Sequence, residues 1–164
     1  MQGDLADINI LKQKLISLLS QKNISISTAE SCTGGMLGAT LTSIPGISQY
    51  YGYGFVTYSN DAKQKLIGVK ENTLLKYGAV SSQTAMEMAE GALKVSGSDI
   101  AVSATGIAGP GGGTAKKKVG LVYIAYASKE KSIYKELNLS GDRESIRIQT
   151  VSDILNLIIE QLDK

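Results

Sequence analysis

The stretch of residues 24–38, ISISTAESCTGGMLG, changes its hydrophobic period partway along. Its first residues alternate between apolar and polar side chains, which is typical of a β-strand. From residue 36 to residue 41 the apolar side chains favour a helix instead. The sequence therefore predicts a strand that leads into a helix, with residues 30–33 (Glu-Ser-Cys-Thr) on the turn between them.

A strand-to-helix turn of this kind suits anion binding or nucleophilic chemistry. It aims backbone N–H groups at one point and adds the positive end of a helix dipole. Because Gly34 and Gly35 carry no Cβ, a ligand can approach the backbone closely. A hydroxyl placed there can act as a nucleophile beside an anion-stabilising pocket. The alternative, of equal weight on this stretch alone, is that Ser31 or Thr33 only caps the helix.

The absence of histidine narrows the chemistry open to this chain. The sequence contains no histidine and one cysteine, Cys32. A Ser-His-Asp triad, a Cys-His pair, a histidine-rich zinc site and a thiolate zinc cluster are therefore excluded, and no metal site is predicted. A hydrolase of this composition needs another general base, for which lysine is the leading candidate.

The overall composition is that of an ordinary globular domain. Of the 164 residues, 43% are hydrophobic and 20% are charged, which predicts a single domain over residues 1–164. The net charge of +2 is too small to favour nucleic acid as a partner. No apolar run is long enough to span a bilayer, and the polar start MQGDLAD does not resemble a secretory signal. We therefore expect a cytoplasmic protein with no membrane partner.

Helical and strand patterns alternate along the chain. Helices are predicted over residues 4–21, 61–68, 71–77 and 82–96 and from a cap at Asp142 onward. Further strands are predicted over residues 48–59, 99–104, 119–127 and 132–139, the last two as a hairpin. This order favours an α/β fold, a three-layer α/β/α sandwich with a mixed sheet of about five strands.

Lys63 lies in a short predicted helix that follows a cap at Asn60 and ends at Gly68. The helix dipole disfavours a cation in the first turn. The commoner interpretation of this residue is a solvated surface lysine. The functional interpretation is a lysine that its surroundings keep close to neutral, as a general base requires.

A second glycine-rich stretch, TGIAGPGGG at residues 105–113, follows a compact apolar strand. A buried strand that runs into such a loop often cradles a phosphate or another ligand, although this loop fits neither the P-loop nor G-x-G-x-x-G. The lysines of residues 116–118 are predicted to form a solvated tip, with phosphate steering as the minor alternative. Arg143, at a helix start, is either a ligand for an anion or a surface arginine.

Three segments together resemble one protein family. They are TAESCTGG (residues 28–35), GFVTYSNDAK (residues 54–63) and TGIAGPGGGT (residues 105–114). In this order they are similar to the C-terminal domain of CinA, the competence/damage-inducible protein, whose stand-alone form is nicotinamide-nucleotide amidase (PncC). The resemblance extends over about residues 11–162 and includes GDR at residues 141–143. It implies hydrolysis of the carboxamide of nicotinamide mononucleotide (NMN) to nicotinate mononucleotide and ammonia, by a serine–lysine dyad without metal or cofactor.

The resemblance also implies which residues act. Ser31 is the expected nucleophile and Lys63 its base, which agrees with the missing histidine. Tyr58 and Thr105 are assigned to supporting hydrogen bonds near the dyad. The turn N–H groups suit either an oxyanion hole or the nucleotide phosphate, and both assignments stay open. The predicted substrate-binding residues are Thr33, Gly34, Gly35, Gly106, Ala108, Gly109, Gly111 and Arg143.

The sequence departs from the family pattern in the second glycine-rich loop. Lys118 stands where the family often has proline, and Gly111 stands near a position that is often polar. Both changes predict a more flexible loop and weaker substrate affinity, but they leave the dyad intact. The nucleotide-pyrophosphatase domain of full-length CinA has no counterpart in this sequence, so we do not expect that activity.

Two alternatives to an NMN amidase stay open. One is a catalytically silent nucleotide-binding or regulatory module that uses the same glycine loops. The other is an amidase for a related substrate. In either case a homodimer or higher homo-oligomer is expected only because such assemblies are common among domains of this kind.

Overall fold

The computed structural model describes the backbone of residues 2–164 and the side chains from residue 7 onward. The helices described are α1 (Gln2–Lys22), α2 (Met36–Thr42), α3 (Asn60–Ile67), α4 (Glu71–Tyr77), α5 (Ser82–Ser96) and α6 (Arg143–Leu162). The strands are β1 (Ile26–Glu30), β2 (Tyr51–Val56), β3 (Ile100–Gly106), β4 (Leu121–Ser128) and β5 (Ser132–Asn138). In this part of the chain, no helix is long and apolar enough to cross a membrane.

The strands form one mixed sheet in the order β2-β1-β3-β4-β5. Strand β1 pairs in parallel with β2 on one side and with β3 on the other. Strands β3, β4 and β5 pair antiparallel in succession. The predicted five-stranded mixed sheet with a hairpin near its end is confirmed.

Helices cover both faces of the sheet. On one face residues of α1, α2 and α6 form one apolar cluster with Ile100, Val102 and other strand residues, and α1 packs mainly against α6. On the opposite face Ala101 packs against residues of α3, α4 and α5, including Met88. Because successive residues of a strand point to opposite faces, β3 is buried throughout most of its length, as its unbroken run of apolar and small residues predicts. The three-layer α/β/α sandwich is thus confirmed.

Two strand boundaries differ from the prediction. Strand β1 begins at Ile26 rather than Ile24, because Asn23 adopts a left-handed conformation (φ 51°) and the Ile24 N–H still donates to the last turn of α1. The same strand extends through Glu30, which the sequence placed on the turn.

The segment predicted as a strand over residues 48–59 is a strand only at Tyr51–Val56. A short 3-10 helix, Ile47–Gln49, precedes it, because Gly46 (φ 84°) turns the chain and the Tyr50 N–H donates to the Ile47 carbonyl.

The parallel strands bring three segments to one edge of the sheet. The chain leaves β1, β2 and β3 at the same edge, because all three run in the same direction. Since β2 and β3 lie on opposite sides of β1, the turn after β1 lies between them. In open α/β sheets, the crevice outside the carboxyl ends of such strands is where ligands bind.

Candidate active site

Ser31 and Lys63 are in direct contact at this edge of the sheet. Lys63 Nζ donates to Ser31 Oγ at 3.0 Å and to the Thr57 carbonyl at 2.9 Å. Ser31 follows the last residue of β1, and Lys63 lies in α3, after β2. Lys63 is only 1% exposed, so the interpretation of a solvated surface lysine is wrong.

The position of Lys63 depends on how α3 begins. The N-cap is Ser59, whose hydroxyl accepts from the Ala62 N–H at 3.0 Å, rather than the predicted Asn60. Asn60 is instead the first residue of the helix and lines the cavity beside the dyad. The Lys63 N–H donates to the Ser59 carbonyl at 3.1 Å, which fixes the backbone from which the lysine side chain reaches Ser31.

Burial lowers the pKa of Lys63 below that of an ordinary lysine. The negative charge that the Cys32 thiol carries when ionised acts in the opposite direction but is the smaller influence. Among the residues whose side chains are described, Lys63 forms no ion pair with a carboxylate. The lysine is therefore in the electrostatic setting that a general base needs.

The turn of residues 31–35 is held by backbone hydrogen bonds. The Ser31 N–H donates to the Ala104 carbonyl of β3 at 2.9 Å, and the Gly34 N–H donates to the Ser31 carbonyl at 3.1 Å. The N-cap of α2 is Gly35, in a left-handed conformation (φ 97°) and without a side-chain cap. The alternative that Ser31 or Thr33 serves only as the helix cap is therefore wrong.

The carboxylate of Glu30, at the end of β1, binds this turn and the start of α2. Glu30 was not identified as a functional residue from the sequence. Its carboxylate accepts four hydrogen bonds, from the Thr33 hydroxyl and from the N–H groups of Gly35, Leu37 and Gly38, at 2.7–3.0 Å. The sequence signal was a lone carboxylate between a buried strand and a helix start, which resembles an ordinary turn residue.

Arg147, the second residue that sequence reasoning missed, holds the turn from α6. Its guanidinium donates to the Thr33 carbonyl at 2.8 Å. Thr33 is fully buried, and both its hydroxyl and its carbonyl are hydrogen-bonded inside the protein. Its side chain therefore stabilises the turn and is not available to a substrate.

The amides of Gly34 and Gly35 are already used inside the protein. The first donates to Ser31 and the second to Glu30. Within the described part of the chain, the Cys32 and Thr33 amides donate to no carbonyl or carboxylate oxygen. They lie close enough to the Cys32 sulfur to lower its pKa in part. The turn donors left for an oxyanion are therefore at Cys32 and Thr33, whereas the predicted use of the Gly34 and Gly35 amides conflicts with these contacts.

A cavity of about 220 Å³ opens beside the dyad. Its lining includes both dyad residues and most of the predicted partners from the other loops: Ser31, Cys32, Tyr58, Asn60, Lys63, Ala79, Val80, Thr105, Gly106, Ala108 and Arg143. The convergence of titratable and hydroxyl side chains in a concave space at a sheet edge makes this the candidate active site.

Two of the predicted residues on β3 have clear local roles. The Thr105 hydroxyl donates to the Ala79 carbonyl at 2.7 Å, which fixes a wall of the cavity. Gly106 lies so close to β4 that a Cβ there would come within 2.8 Å of the Leu121 carbonyl oxygen and the Val122 Cα. Strand packing therefore explains this glycine without a ligand.

Arg143 forms the outer rim of the cavity. Its guanidinium donates to the Gly109 carbonyl at 2.7 Å and to the Tyr58 hydroxyl at 3.1 Å. Tyr58 is 61% exposed and has no contact with Ser31 or Lys63 among the described hydrogen bonds, so it supports Arg143 rather than the dyad directly. Gly109 and Gly111 do not line the cavity, and Gly111 faces open space.

Lys117 contradicts the prediction of a solvated tip at residues 116–118. Its ammonium donates to the carbonyls of Tyr77 and Val80, both at 2.7 Å. Val80 lines the cavity, so this lysine ties the second glycine-rich loop to the cavity wall. The reason is electrostatic, because carbonyl groups at the end of α4 attract a cation. Neighbouring Lys116 and Lys118 are exposed, as predicted.

Cys32 lines the same cavity but is poorly suited to be the nucleophile. Burial raises the pKa of its thiol to about 11, so the thiol is protonated at neutral pH. The thiolate, not the thiol, is the reactive form. This contrast with the Ser31–Lys63 contact favours Ser31 as the reacting group.

Comparison with known proteins identifies relatives along almost the whole chain. A family model described as the CinA C-terminal domain matches residues 8–162. A "CinA-like protein" from Endomicrobium trichonymphae is 54% identical over 145 residues, 88% of this chain and 34% of that protein. A relative from Clostridium novyi (strain NT), named as a competence-damage inducible protein, is 55% identical over 93% of this chain. The chain spans 37% of that relative's length, little more than a third.

Solved structures agree with the family match. The crystal structure of competence/damage inducible protein CihA from Agrobacterium tumefaciens is 44% identical, with a TM-score of 0.93 and 96% coverage of both chains. A CinA superfamily protein from Escherichia coli is 33% identical, with a TM-score of 0.91 over 95% of this chain and 91% of that one. This chain belongs to the CinA C-terminal domain family.

Proposed function

We propose that this protein is a nicotinamide-nucleotide amidase that hydrolyses the carboxamide of NMN to nicotinate mononucleotide and ammonia. The observation that carries the proposal is the 3.0 Å contact between Ser31 Oγ and a buried lysine in a concave site. A hydroxyl beside a general base of lowered pKa is the arrangement that acyl transfer requires. The choice of NMN rests on the resemblance to the CinA C-terminal family.

The first half of the reaction forms an acyl-enzyme. Ser31 Oγ attacks the carboxamide carbon while neutral Lys63 Nζ takes the hydroxyl proton. The amide oxygen becomes an oxyanion, for which the Cys32 and Thr33 amides are the proposed donors. The Lys63 ammonium then returns a proton to the departing nitrogen, the C–N bond breaks and ammonia leaves.

The second half releases the acid. A water molecule attacks the acyl carbon, and Lys63 takes its proton in the same manner as it took the proton of Ser31. The bond between Ser31 Oγ and the acyl carbon breaks, and the proton returns to the serine oxygen. Nicotinate mononucleotide is released as the carboxylic acid, which gives its remaining proton to solvent and becomes a carboxylate. This sequence of steps uses no metal or cofactor.

Arg143 is the proposed ligand for the substrate phosphate. Its two described acceptors, the Gly109 carbonyl and the Tyr58 hydroxyl, are uncharged, and among the described residues it pairs with no carboxylate. An arginine whose charge is not neutralised, at the rim of a cavity, is suited to a phosphate because its fork can bind two oxygens at once.

Replacing Arg143 with glutamine should raise the KM for NMN by about 10-fold or more, because a charge-assisted contact to the phosphate is lost. The KM for nicotinamide riboside, which has no phosphate, should change by less than about 2-fold, because the lost interaction is absent from that substrate. Steady-state ammonia assays with both substrates measure this difference. Lys116→Gln, which removes the same charge from an exposed position, is the matched control. Equal losses with both substrates would contradict a phosphate role.

The proposed function is tested by a substrate panel with the purified protein. NMN, nicotinamide riboside, nicotinamide and unrelated primary amides are compared for ammonia release under the same conditions. The proposal predicts the highest kcat/KM for NMN. A higher value for another amide would replace NMN with that substrate class. NMN binding without ammonia release from any compound would favour a nucleotide-binding module instead.

A further inference from the structure

The carboxylate of Glu30 is buried, and among the residues whose side chains are described it has no positively charged partner. The residue is 2% exposed, and no described ion pair includes it. Its charge is balanced by four donors instead: Oε2 accepts from the Thr33 hydroxyl (2.7 Å) and from the Gly35 and Leu37 amides (3.0 Å each), and Oε1 accepts from the Gly38 amide (2.8 Å). A buried carboxylate is stable only when its oxygens are hydrogen-bonded in this way.

These donors are the groups that begin α2. Gly35 is the N-cap of that helix and offers no side chain to bind the first amides. The carboxylate of Glu30 therefore satisfies the helix start from the end of β1, and it occupies the positive end of the helix dipole. Because Glu30 accepts from these amides, the start of α2 is not available to a substrate phosphate.

Glu30 is also joined to the nucleophile by the chain itself. Ser31 is the next residue, and its N–H is fixed on β3 through the Ala104 carbonyl. The Thr33 hydroxyl donates to the Glu30 carboxylate, so this hydrogen bond closes a short loop, residues 30–33, in which Ser31 directly follows Glu30. Any movement of this carboxylate relative to α2 alters the path of the backbone around Ser31 Oγ.

We infer that Glu30 is a positioning residue, whose carboxylate sets the backbone of residues 31–35 so that Ser31 Oγ meets Lys63 Nζ. It does not touch the substrate and does not itself transfer a proton. The inference rests on the proposed amidase function for its kinetic consequence, although the positioning itself concerns only the dyad. It differs from a purely structural role because its loss should affect the reactivity of Ser31 more than the stability of the fold.

Glu30→Gln keeps the size of the side chain but places an NH₂ group where one of the two carboxylate oxygens accepts N–H and O–H donors. If the NH₂ group replaces Oε1, the Gly38 amide faces a donor instead of an acceptor; if it replaces Oε2, the Gly35 and Leu37 amides do. The backbone of the turn must shift to relieve this contact. A shift of about 1 Å at a reacting group can reduce the rate by about 100-fold.

Glu87→Gln is the matched control. Glu87 also binds a helix start with its carboxylate, because it accepts from the Lys70 N–H at 2.8 Å and the Thr73 hydroxyl at 2.7 Å at the beginning of α4. It does not line the cavity of the dyad. The two substitutions thus make the same chemical change at two helix starts, of which only one carries the nucleophile.

The test compares wild type, Glu30→Gln and Glu87→Gln by three measurements on the full chain. These are kcat and KM for ammonia release from NMN, the rate at which a fluorophosphonate probe labels Ser31, and the melting temperature. We expect Glu30→Gln to lower kcat and the labelling rate by about 10- to 100-fold, with KM within about 2-fold of wild type. Glu87→Gln should leave both rates within about 2-fold.

Each outcome decides a separate question. Ser31 labelling of Glu30→Gln at the wild-type rate would overturn the positioning role, whatever the melting temperature. Equal loss of labelling in both variants would also overturn it, because the effect would then follow from general destabilisation. If wild type labels on Ser31 in a Glu30-dependent manner but releases no ammonia from NMN, the proposed substrate fails and the positioning role stands. If wild type does not label on Ser31, both proposals fall.

Discussion

Ser31→Ala should reduce ammonia release from NMN by more than about 10⁴-fold, because no other nucleophile in the cavity is activated. The serine oxygen accepts from Lys63 Nζ at 3.0 Å, whereas burial raises the pKa of the neighbouring Cys32 thiol, which is protonated at neutral pH. A residual rate over the uncatalysed reaction reflects binding and oxyanion stabilisation alone. The measurement is kcat/KM by coupled ammonia detection, with enzyme concentration corrected for the folded fraction.

Cys32→Ala is the control for the Ser31 variant. It removes the thiol next to Ser31 and should keep kcat within about 5-fold of wild type, since a small loss of packing at a 7% exposed position is the main effect. A large loss in Cys32→Ala together with near-normal activity in Ser31→Ala would reverse the assignment and make the thiol the nucleophile.

Lys63→Arg should lower kcat by about 10²- to 10⁴-fold, although it keeps a positive charge at the same place. A guanidinium does not lose its proton at any pH at which the protein is folded, so it cannot take the proton of Ser31. Lys63→Met, which keeps an unbranched apolar side chain but has no amine, should lower kcat by a similar factor. Steady-state kinetics of both variants, with melting curves to confirm folding, measure the loss of the base.

The pH dependence of kcat/KM of the wild-type protein is a second test of Lys63 as the general base. The proposed mechanism requires Lys63 to be neutral, so kcat/KM should rise with pH through the pKa of Lys63 and level off above it. Because burial lowers that pKa, the midpoint of the rise should lie below the range of an ordinary lysine. A midpoint at or above the ordinary lysine value, or activity in Lys63→Arg equal to wild type, would exclude Lys63 as the base.

The sequence was sufficient to predict which residues meet at the dyad. Without histidine, a hydrolase had to use another base, and the family motifs pointed to one serine and one lysine. Those residues are 32 positions apart in the chain, yet the parallel arrangement of β1 and β2 brings their loops to one edge. Alternating strand and helix patterns were enough to predict a mixed sheet between layers of helices, because hydrophobic periodicity indicates element type and buried face. They did not predict that β1 pairs with β2.

The contacts that hold the site together could not be predicted in the same way. Glu30 and Lys117 form hydrogen bonds with backbone groups of other segments. Every residue type except proline carries the same backbone N–H and carbonyl groups, so the sequence does not show which of them a side chain will contact. Lys117 therefore looked like one of three equivalent solvated lysines, and only the path of the loop distinguishes it. The helix cap at Ser59 was likewise missed by one residue, because Ser and Asn are both common N-cap residues and the residue types do not fix where a helix begins.

The most direct test of the account is ammonia release from NMN by the purified protein in the presence of a strong metal chelator. A metal-free serine–lysine amidase predicts release at the untreated rate, with nicotinate mononucleotide formed in equal amount. The same assay on Lys63→Met should show ammonia release lowered by about 10²- to 10⁴-fold. Release that stops with chelator and returns with added metal, or no release from a protein that still binds NMN, would contradict the central claim.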